Sequence, residues 1–213
     1  ISWMNLLPRR YVNNPTTWPQ SRTVVMLLPV FLCALICALV NAPLTHAQQS
    51  DADPTLLSLL KRAATDADSF TDQYDAEVWL MTKEPALAPL ISDPETRVNL
   101  LTLIHSEATR AGLSPEIVLA LIEVESGFDR YAVSAAGAQG IMQVMPFWKH
   151  EIGRPEDNLI NTQTNLRYGC TILKYYLDRE KGRLADALAR YNGSYGQYWY
   201  AERVLDAWAR RWR

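Results

Sequence analysis

The helical spacing of apolar residues is the feature that most limits what this chain can fold into. From Leu56 onwards, apolar side chains recur every three or four positions, and no stretch keeps the alternation of a half-buried strand. We expect helices at 55–64, 71–82, 94–111, 115–126, 139–151, 161–179, 183–191 and 198–212. The predicted fold class is therefore all-α, and 213 residues are enough for one domain with its own core and a small appendage.

Two of the predicted helix starts carry strong local signals. At 93–95 and at 114–116, a side chain that can cap a helix precedes Pro, and an acidic residue follows Pro. Gly112 provides a stop between these two helices. The helix that begins at 114–116 is therefore predicted with well-defined ends.

The N-terminal part of the chain has the pattern of a secretory signal peptide. Residues 23–50 contain no Asp, Glu, Lys or Arg, three arginines precede the apolar run at 24–40, and a small-x-small signal ends at Ala47. The pattern predicts a signal peptide at 1–47. The alternative is an uncleaved membrane anchor, because the apolar run approaches the ~20 residues that span a bilayer. Either way, the body of the protein leaves the cytosol.

A polar linker at 48–54 separates this segment from the helical part. We expect 55–92 to be a helical N-terminal extension packed on a catalytic domain at 93–213, because no strong linker divides the two. No internal repeat or low-complexity tract suggests a further division.

The charge and the cysteine and histidine content exclude several function classes. All 23 acidic residues follow residue 50, so the body is mildly acidic and has no basic stripe for nucleic acid. Cys170 has no cysteine partner in the body and has leucines at helical spacing, so we expect a buried thiol. His105 lies on an apolar helix face and His150 near a helix end, without partners at metal-site spacing. We expect no metal and no cofactor.

Two glutamates lie two positions apart in the apolar run LIEVESGF at 121–128. Because a helix turns about 100° per residue, Glu123 shares the water-facing stripe of Glu116, whereas Glu125 lies opposite, with Val118. Burial of an unpaired carboxylate raises its pKa, and a carboxyl group that keeps its proton near neutral pH can act as a general acid. Glu125 is therefore a candidate catalytic residue.

Three structural roles compete with catalysis for Glu125. It could form a salt bridge with Arg130, cap a neighbouring helix, or lie exposed at the end of its own helix, since Gly127 follows closely. The helical pattern by itself does not choose among these roles.

Two further stretches carry polar side chains suited to a sugar. In GAQGIMQVMP at 137–146, Gln143 offers an amide that can donate and accept hydrogen bonds, although core methionines are the competing interpretation of this stretch. In ALARYNGSYG at 187–196, Tyr191 lies on an apolar stripe, so its hydroxyl needs a partner, and Asn192 begins a turn.

The motifs ESGF, GAQGIMQVMP and RYNGS, in this order, resemble the soluble lytic transglycosylases (SLT), lysozyme-like enzymes that cut bacterial peptidoglycan. The resemblance covers about residues 94–212. It implies an all-helical, lysozyme-like domain of the goose-lysozyme or SLT type. It also implies a groove that binds glycan strands of alternating N-acetylglucosamine and N-acetylmuramic acid.

The resemblance assigns roles to six residues. Carried over by position, these are Glu125 as the single catalytic acid/base, Ser126 as its polar neighbour at the reacting sugar, Gln143 and Met145 as groove residues that touch the glycan, Tyr191 as the tyrosine whose hydroxyl holds the catalytic carboxyl, and Asn192 as the asparagine beside it. One position departs from the family, because Gly193-Ser194 stand where Ala-Gly are common. The backbone path after Asn192 stays open.

The resemblance implies a reaction that needs one carboxyl group and no cofactor. Glu125 protonates the glycosidic oxygen and then takes the proton of the muramic-acid C6 hydroxyl, which attacks the anomeric carbon and leaves a 1,6-anhydromuramyl end. We expect Glu125→Gln to lose nearly all cleavage and Glu123→Gln to be almost silent. The alternatives are a lysozyme-type peptidoglycan hydrolase and a glycan-binding envelope protein without catalysis.

Location and partners follow from the same resemblance. An exported enzyme of this kind acts in the bacterial periplasm or cell envelope, or at the inner membrane if the N-terminal segment is not cleaved. The expected partner is the glycan strand of peptidoglycan, with an envelope protein complex as a further option. We expect a monomer.

Overall fold

The regular secondary structure of this protein is helical wherever the computed structural model describes it, at residues 54–65, 69 and 72–213. The helices are α1 (Pro54–Thr65), α2 (Gln73–Leu87), α3 (Pro94–Ala111), α4 (Pro115–Glu125), α5 (Trp148–Ile152), α6 (Thr162–Arg179), α7 (Leu184–Asn192) and α8 (Trp199–Ala207), and a π-helical turn follows at Trp208–Trp212. The predicted all-α class is confirmed. The predicted signal peptide and all but the last residue of the predicted linker lie outside the described residues.

Helix α4 occupies the centre of the fold. Its residues from Ile117 to Ile122 are buried, and it contacts α3, α8 and the π-helical turn. Its start is set locally, because the Ser114 side chain accepts from the backbone N–H of Ile117, as the capping signal predicted. The preceding helix α3 ends at Gly112 in the left-handed conformation, also as predicted. These ends place the last residue of α4, Glu125, at the edge of the core.

The helices of the predicted extension pack directly on the rest of the described chain. Helices α1 and α2 both contact α3, and a buried ion pair joins Glu84 of α2 to Arg97 of α3. Arg97 also donates to the backbone carbonyl oxygens of Ile91 and Ser92, which fixes the connection between the two helices. Helix α2 runs to Leu87, five residues past its predicted end at 82.

The prediction of a helix over 139–151 is wrong. Only Trp148–Ile152 are helical, while the residues before them form turns and two isolated antiparallel bridges. Two residues interrupt the helix, because Gly140 has a φ of 74° and Gln143 a φ of 51°, both in the left-handed region. The apolar spacing of this stretch therefore reflects a packed loop.

Within the described residues, no helix is both long and apolar enough to cross a membrane.

Candidate active site

Glu125 lies at the C-terminal end of α4, partly buried and beside α8. The hydroxyl group of Tyr200 donates to its Oε1 at 2.5 Å. Burial raises the pKa of Glu125, and the hydrogen bond from Tyr200 and the positive charge of Arg203 lower it only in part. The net effect favours a protonated carboxyl group, which is the state that a general acid needs.

The other buried glutamates of the described chain are paired with arginine. Glu84 pairs with Arg97, Glu107 with Arg110 and Arg167, and Glu180 with Arg183 and Arg190. None of the described cations lies within ion-pair distance of Glu125. The competing expectation of a salt bridge to Arg130 is wrong, because that guanidinium stacks on the ring of Tyr131 at 4.9 Å.

Tyr191 does not make the predicted hydrogen bond to the carboxyl group of Glu125. Its hydroxyl donates to the backbone carbonyl oxygen of Met142 at 2.7 Å, and the one proton of the hydroxyl is thereby used. Burial and then the charge of Glu125 raise the pKa of Tyr191 well above its usual range. Tyr191 therefore lies near the carboxyl group and supports the loop beside it.

Tyr200 is a site residue that the sequence interpretation missed. It is 2% exposed and belongs to α8, which packs against α4. A signal was present, since Tyr200 precedes Val204 by one helical turn and Trp208 by two, and so lies on the same apolar stripe. A tyrosine on such a stripe needs a partner for its hydroxyl.

Ser126 joins the end of α4 to the loop at 137–146. Its hydroxyl donates to the backbone carbonyl oxygen of Ile141 at 2.7 Å. This bond holds the loop next to Glu125. Contact of Ser126 with a sugar stays a prediction.

Gln143 uses its amide nitrogen within the loop. The Nε2 atom donates to the carbonyl oxygens of Ala132 and Gly140, at 3.1 and 2.9 Å. No described residue donates to the amide oxygen, which can therefore accept from a ligand. Both Gln143 and Met145 are half-buried, and their contact with a glycan stays a prediction.

Asn165 holds the loop at 137–146 in place by hydrogen bonds and is a second residue that sequence analysis missed. This fully buried side chain accepts from the backbone N–H of Met142 and donates to the carbonyl oxygens of Gln139 and Leu159. Gly140 passes so close that a Cβ atom there would lie 2.4 Å from the Leu159 carbonyl oxygen. The available signal was an asparagine at helical spacing from Tyr168 and Ile172, on a face that was expected to be buried.

Asn192 is exposed at the C-terminal end of α7, where Gly193 takes the left-handed conformation with a φ of 82°. The predicted turn is thus confirmed. Contact of Asn192 with a glycan stays a prediction.

Glu123 is largely covered by other side chains, so the prediction that it faces water is wrong. The indole Nε1 of Trp212 donates to its Oε2 at 2.6 Å, the Arg211 Nε atom lies 3.7 Å away, and 19% of the Glu123 side chain is exposed. The reason is tertiary, because the π-helical turn covers the side of α4 that the helical pattern left open. Glu123→Gln is therefore not the neutral control that the sequence suggested.

The predicted structural roles of His105 and Cys170 are confirmed. His105 Nδ1 lies 2.8 Å from the Ser69 hydroxyl, its ring packs on Trp79, and burial lowers its pKa to about 4. Cys170 is fully buried, which raises the pKa of its thiol to about 12. Among the described side chains, no group of His, Cys, Asp and Glu is arranged to hold a metal ion.

A cavity of about 770 Å³ opens next to the turn that follows Glu125. Its walls come from α3, the turn at 127–131 and the start of α6. Glu125 is not among its lining residues. The candidate active site is therefore defined by the hydrogen bonds of the carboxyl group and the loop, and not by this cavity.

Comparison with known proteins identifies a related domain family. Residues 102–205 match the family model of the Transglycosylase SLT domain. The chain is similar to membrane-bound lytic murein transglycosylase C of Actinobacillus pleuropneumoniae serotype 5b, with 50% identity over 46 residues, 22% of this chain and 13% of the relative. The protein of the same name from Yersinia pestis (strain Pestoides F) is 30% identical over 112 residues, 45% of this chain and 31% of the relative.

The chain thus spans less than a third of the length of these curated relatives. Among solved structures, it is similar to an inactive mutant of the lytic transglycosylase Slt from Pseudomonas aeruginosa. The two share 22% identity with a TM-score of 0.42, over 68% of this chain and 30% of the other. The family match at 102–205 includes Glu125, the loop at 137–146 and Tyr200, so these residues form a domain of the Transglycosylase SLT family.

Proposed function

We propose that this protein is a peptidoglycan lytic transglycosylase, which cleaves the β-1,4 bond between N-acetylmuramic acid and N-acetylglucosamine and forms 1,6-anhydromuramyl ends. The observation that carries the proposal is the environment of Glu125, a partly buried carboxyl group that has a tyrosine hydroxyl and, among the described residues, no cation in direct contact. The family match and the names of the relatives, lytic murein transglycosylases, support the same activity.

The first step needs a proton on Glu125. Burial raises the pKa of this carboxyl group, so a proton is available for the glycosidic oxygen as the C1–O4 bond breaks. The developing positive charge on the anomeric carbon is stabilised by the N-acetyl group of the substrate itself. A second carboxylate is therefore not required, in contrast to most glycosidases.

The second step needs an ionised Glu125. The carboxylate takes the proton of the muramic-acid C6 hydroxyl, and the C6 oxygen bonds to the anomeric carbon. Tyr200 supports this step, because its hydroxyl donates to Oε1 and stabilises the charged form. Glu125 ends the cycle protonated, and no water is consumed.

The glycan is proposed to lie across the loop at 137–146 and the end of α7. Gln143 would accept a hydrogen bond through its free amide oxygen, and Met145 would provide an adaptable apolar contact. Ser126 and Asn192 border the reacting sugar, and Tyr191 supports the loop through Met142.

The proposed place of action is the bacterial cell envelope. The signal-like pattern at 1–47 supports export. The relatives are named membrane-bound, which supports an envelope location. A monomer that acts alone and a subunit of an envelope complex are both compatible with this proposal.

Product analysis tests the proposed function. Purified protein is incubated with peptidoglycan, and the soluble fragments are analysed by mass spectrometry. We expect fragments lighter by one water than those that a lysozyme releases, and none from Glu125→Gln. Fragments with reducing ends would identify a hydrolase instead, and a lack of fragments from the wild type would leave only a binding function.

A further inference from the structure

One side chain, Trp212, contacts the chain on both sides of Glu125. Trp212 is fully buried in the π-helical turn after α8. On the first side, its indole Nε1 donates to the Oε2 atom of Glu123 at 2.6 Å. Glu123 lies two residues before Glu125, so the hydrogen bond fixes the last turn of α4.

On the second side, the indole ring packs on Phe128, three residues after Glu125. The ring centroids are 5.5 Å apart, and Phe128 is 6% exposed. Phe128 has a φ of 70°, which is costly for a bulky residue and persists only where packing holds it. Trp212 provides part of that packing and so stabilises the turn by which the chain leaves α4.

Trp212 is in turn held by helix α2. The Nζ atom of Lys83 donates to the backbone carbonyl oxygen of Trp212 at 2.8 Å. Lys83 is 7% exposed, and burial of an ammonium group is costly unless it is hydrogen-bonded. The contact therefore links the N-terminal extension to the segment around Glu125.

We propose that Trp212 is a positioning residue for Glu125, and that Lys83 of the N-terminal extension sets the position of Trp212. Trp212 clamps residues 123–128 from both ends, so that the Glu125 carboxyl group stays in place for both proton transfers. This role rests on the proposed function. It gives the helices before residue 93 a part in catalysis without contact with substrate.

The chain offers a matched control for this role. The indole Nε1 of Trp79 donates to Glu116 Oε1 at 2.7 Å, which is the same type of bond to a glutamate of the same helix. Glu116, however, lies in the first turn of α4, at the opposite end from Glu125. A purely structural role would lower the stability of both variants without changing the kcat of the folded protein, whereas a positioning role lowers kcat only when Trp212 is changed.

The test compares Trp212→Phe with Trp79→Phe. Both variants lose one indole–carboxylate bond, so we expect both to unfold at a lower temperature. When Trp212→Phe or Trp79→Phe is combined with Glu125→Gln, each double variant should bind insoluble peptidoglycan as tightly as Glu125→Gln alone. Only Trp212→Phe should lower kcat, by about tenfold to a hundredfold, with little change in KM, because small misplacements of a reacting group are costly.

Lys83→Met is a second, milder variant that leaves Trp212 intact. We expect a smaller loss of kcat, again without loss of peptidoglycan binding. Equal kcat values in Trp212→Phe and Trp79→Phe would overturn the inference, as would a loss that disappears at temperatures where both variants are fully folded. If the wild type releases no fragments, both the proposed function and this inference fail. If the wild type is active and Trp212→Phe and Trp79→Phe have equal kcat values, only the inference fails.

Discussion

Glu107 is buried and Glu125 is partly buried, and the surroundings of the two carboxyl groups are opposite. The Glu107 side chain is 3% exposed and contacts Arg110 at 2.6 Å and Arg167 at 2.7 Å. Burial alone would raise its pKa, but the hydrogen bonds and charges of the two arginines lower it below the ordinary 4.5. Glu125 contacts the neutral hydroxyl of Tyr200, and its pKa is raised.

The difference shows how one residue type can serve two purposes in one fold. A carboxylate paired with arginine stays charged and joins helices, here α3 to α6 through Arg167. A carboxyl group with a tyrosine partner in place of arginine has a raised pKa, so it keeps its proton to higher pH than the paired one. The neighbours of each glutamate, more than its burial, separate the structural site from the candidate catalytic one.

Replacement of the Glu125 carboxyl group by an amide should have the largest effect on activity. Glu125→Gln removes the proton donor, so we expect cleavage to fall at least about a thousandfold. The fold should be retained with undiminished thermal stability, because the buried site no longer has to accommodate a charge. Turnover assays and thermal melts check both points, and substantial activity in a pure sample would refute the assignment.

Replacement of the tyrosine partner should have the next largest effect. Tyr200→Phe removes a hydrogen bond to a charged group, which is worth about 1.5–3 kcal/mol, so we expect the rate to fall by about tenfold to a hundredfold. Burial raises the pKa of Glu125 and Tyr200 partly opposes it, so the variant should hold the proton to higher pH. The alkaline limb of the pH–rate profile should therefore move to higher pH. An unchanged limb would argue against the hydrogen bond between Tyr200 and Glu125.

The substitution at Glu107 should affect stability and leave the chemistry intact. Glu107→Gln loses charge-assisted hydrogen bonds, and we expect a loss of about 2 kcal/mol in the free energy of unfolding at neutral pH. Because the pKa of Glu107 is lowered in the folded protein, its contribution is present above 4.5 and disappears as the pH falls through the lowered value. Denaturation curves of variant and wild type should converge in acid, with equal kcat for the folded molecules.

The smallest effect is expected at Tyr191. Its hydroxyl contacts the Met142 carbonyl oxygen and not the carboxyl group, so Tyr191→Phe loses one neutral hydrogen bond, worth about 1 kcal/mol. We expect the rate to fall about fivefold, since the loop loses one support. A loss as large as that of Tyr200→Phe would reverse the roles that the structure gives to the two tyrosines.

The parts of the fold that could be predicted from the sequence depend on local interactions. Ser114 caps α4 within one turn, Gly112 ends α3, and the direction of Glu125 follows from helical spacing alone. The family could be recognised because its motifs are also short and local.

The remaining features depend on which distant segments meet. Spacing could not show that α8 brings Tyr200 to Glu125, nor that Trp212 covers Glu123. The stretch at 139–147 has helix-like apolar spacing, yet Asn165, over 20 positions away, holds it as a loop. Tertiary contacts overrode the local pattern at each of these points.

Titration of the Glu125 carboxyl group tests the central claim most directly. Carbon-detected NMR of protein labelled at the glutamate carboxyl carbons gives individual pKa values, with Glu125→Gln and Glu107→Gln assigning the two signals. We expect Glu125 to titrate above the ordinary value of 4.5 and Glu107 below it. A pKa of Glu125 at or below that of Glu107 would contradict the account.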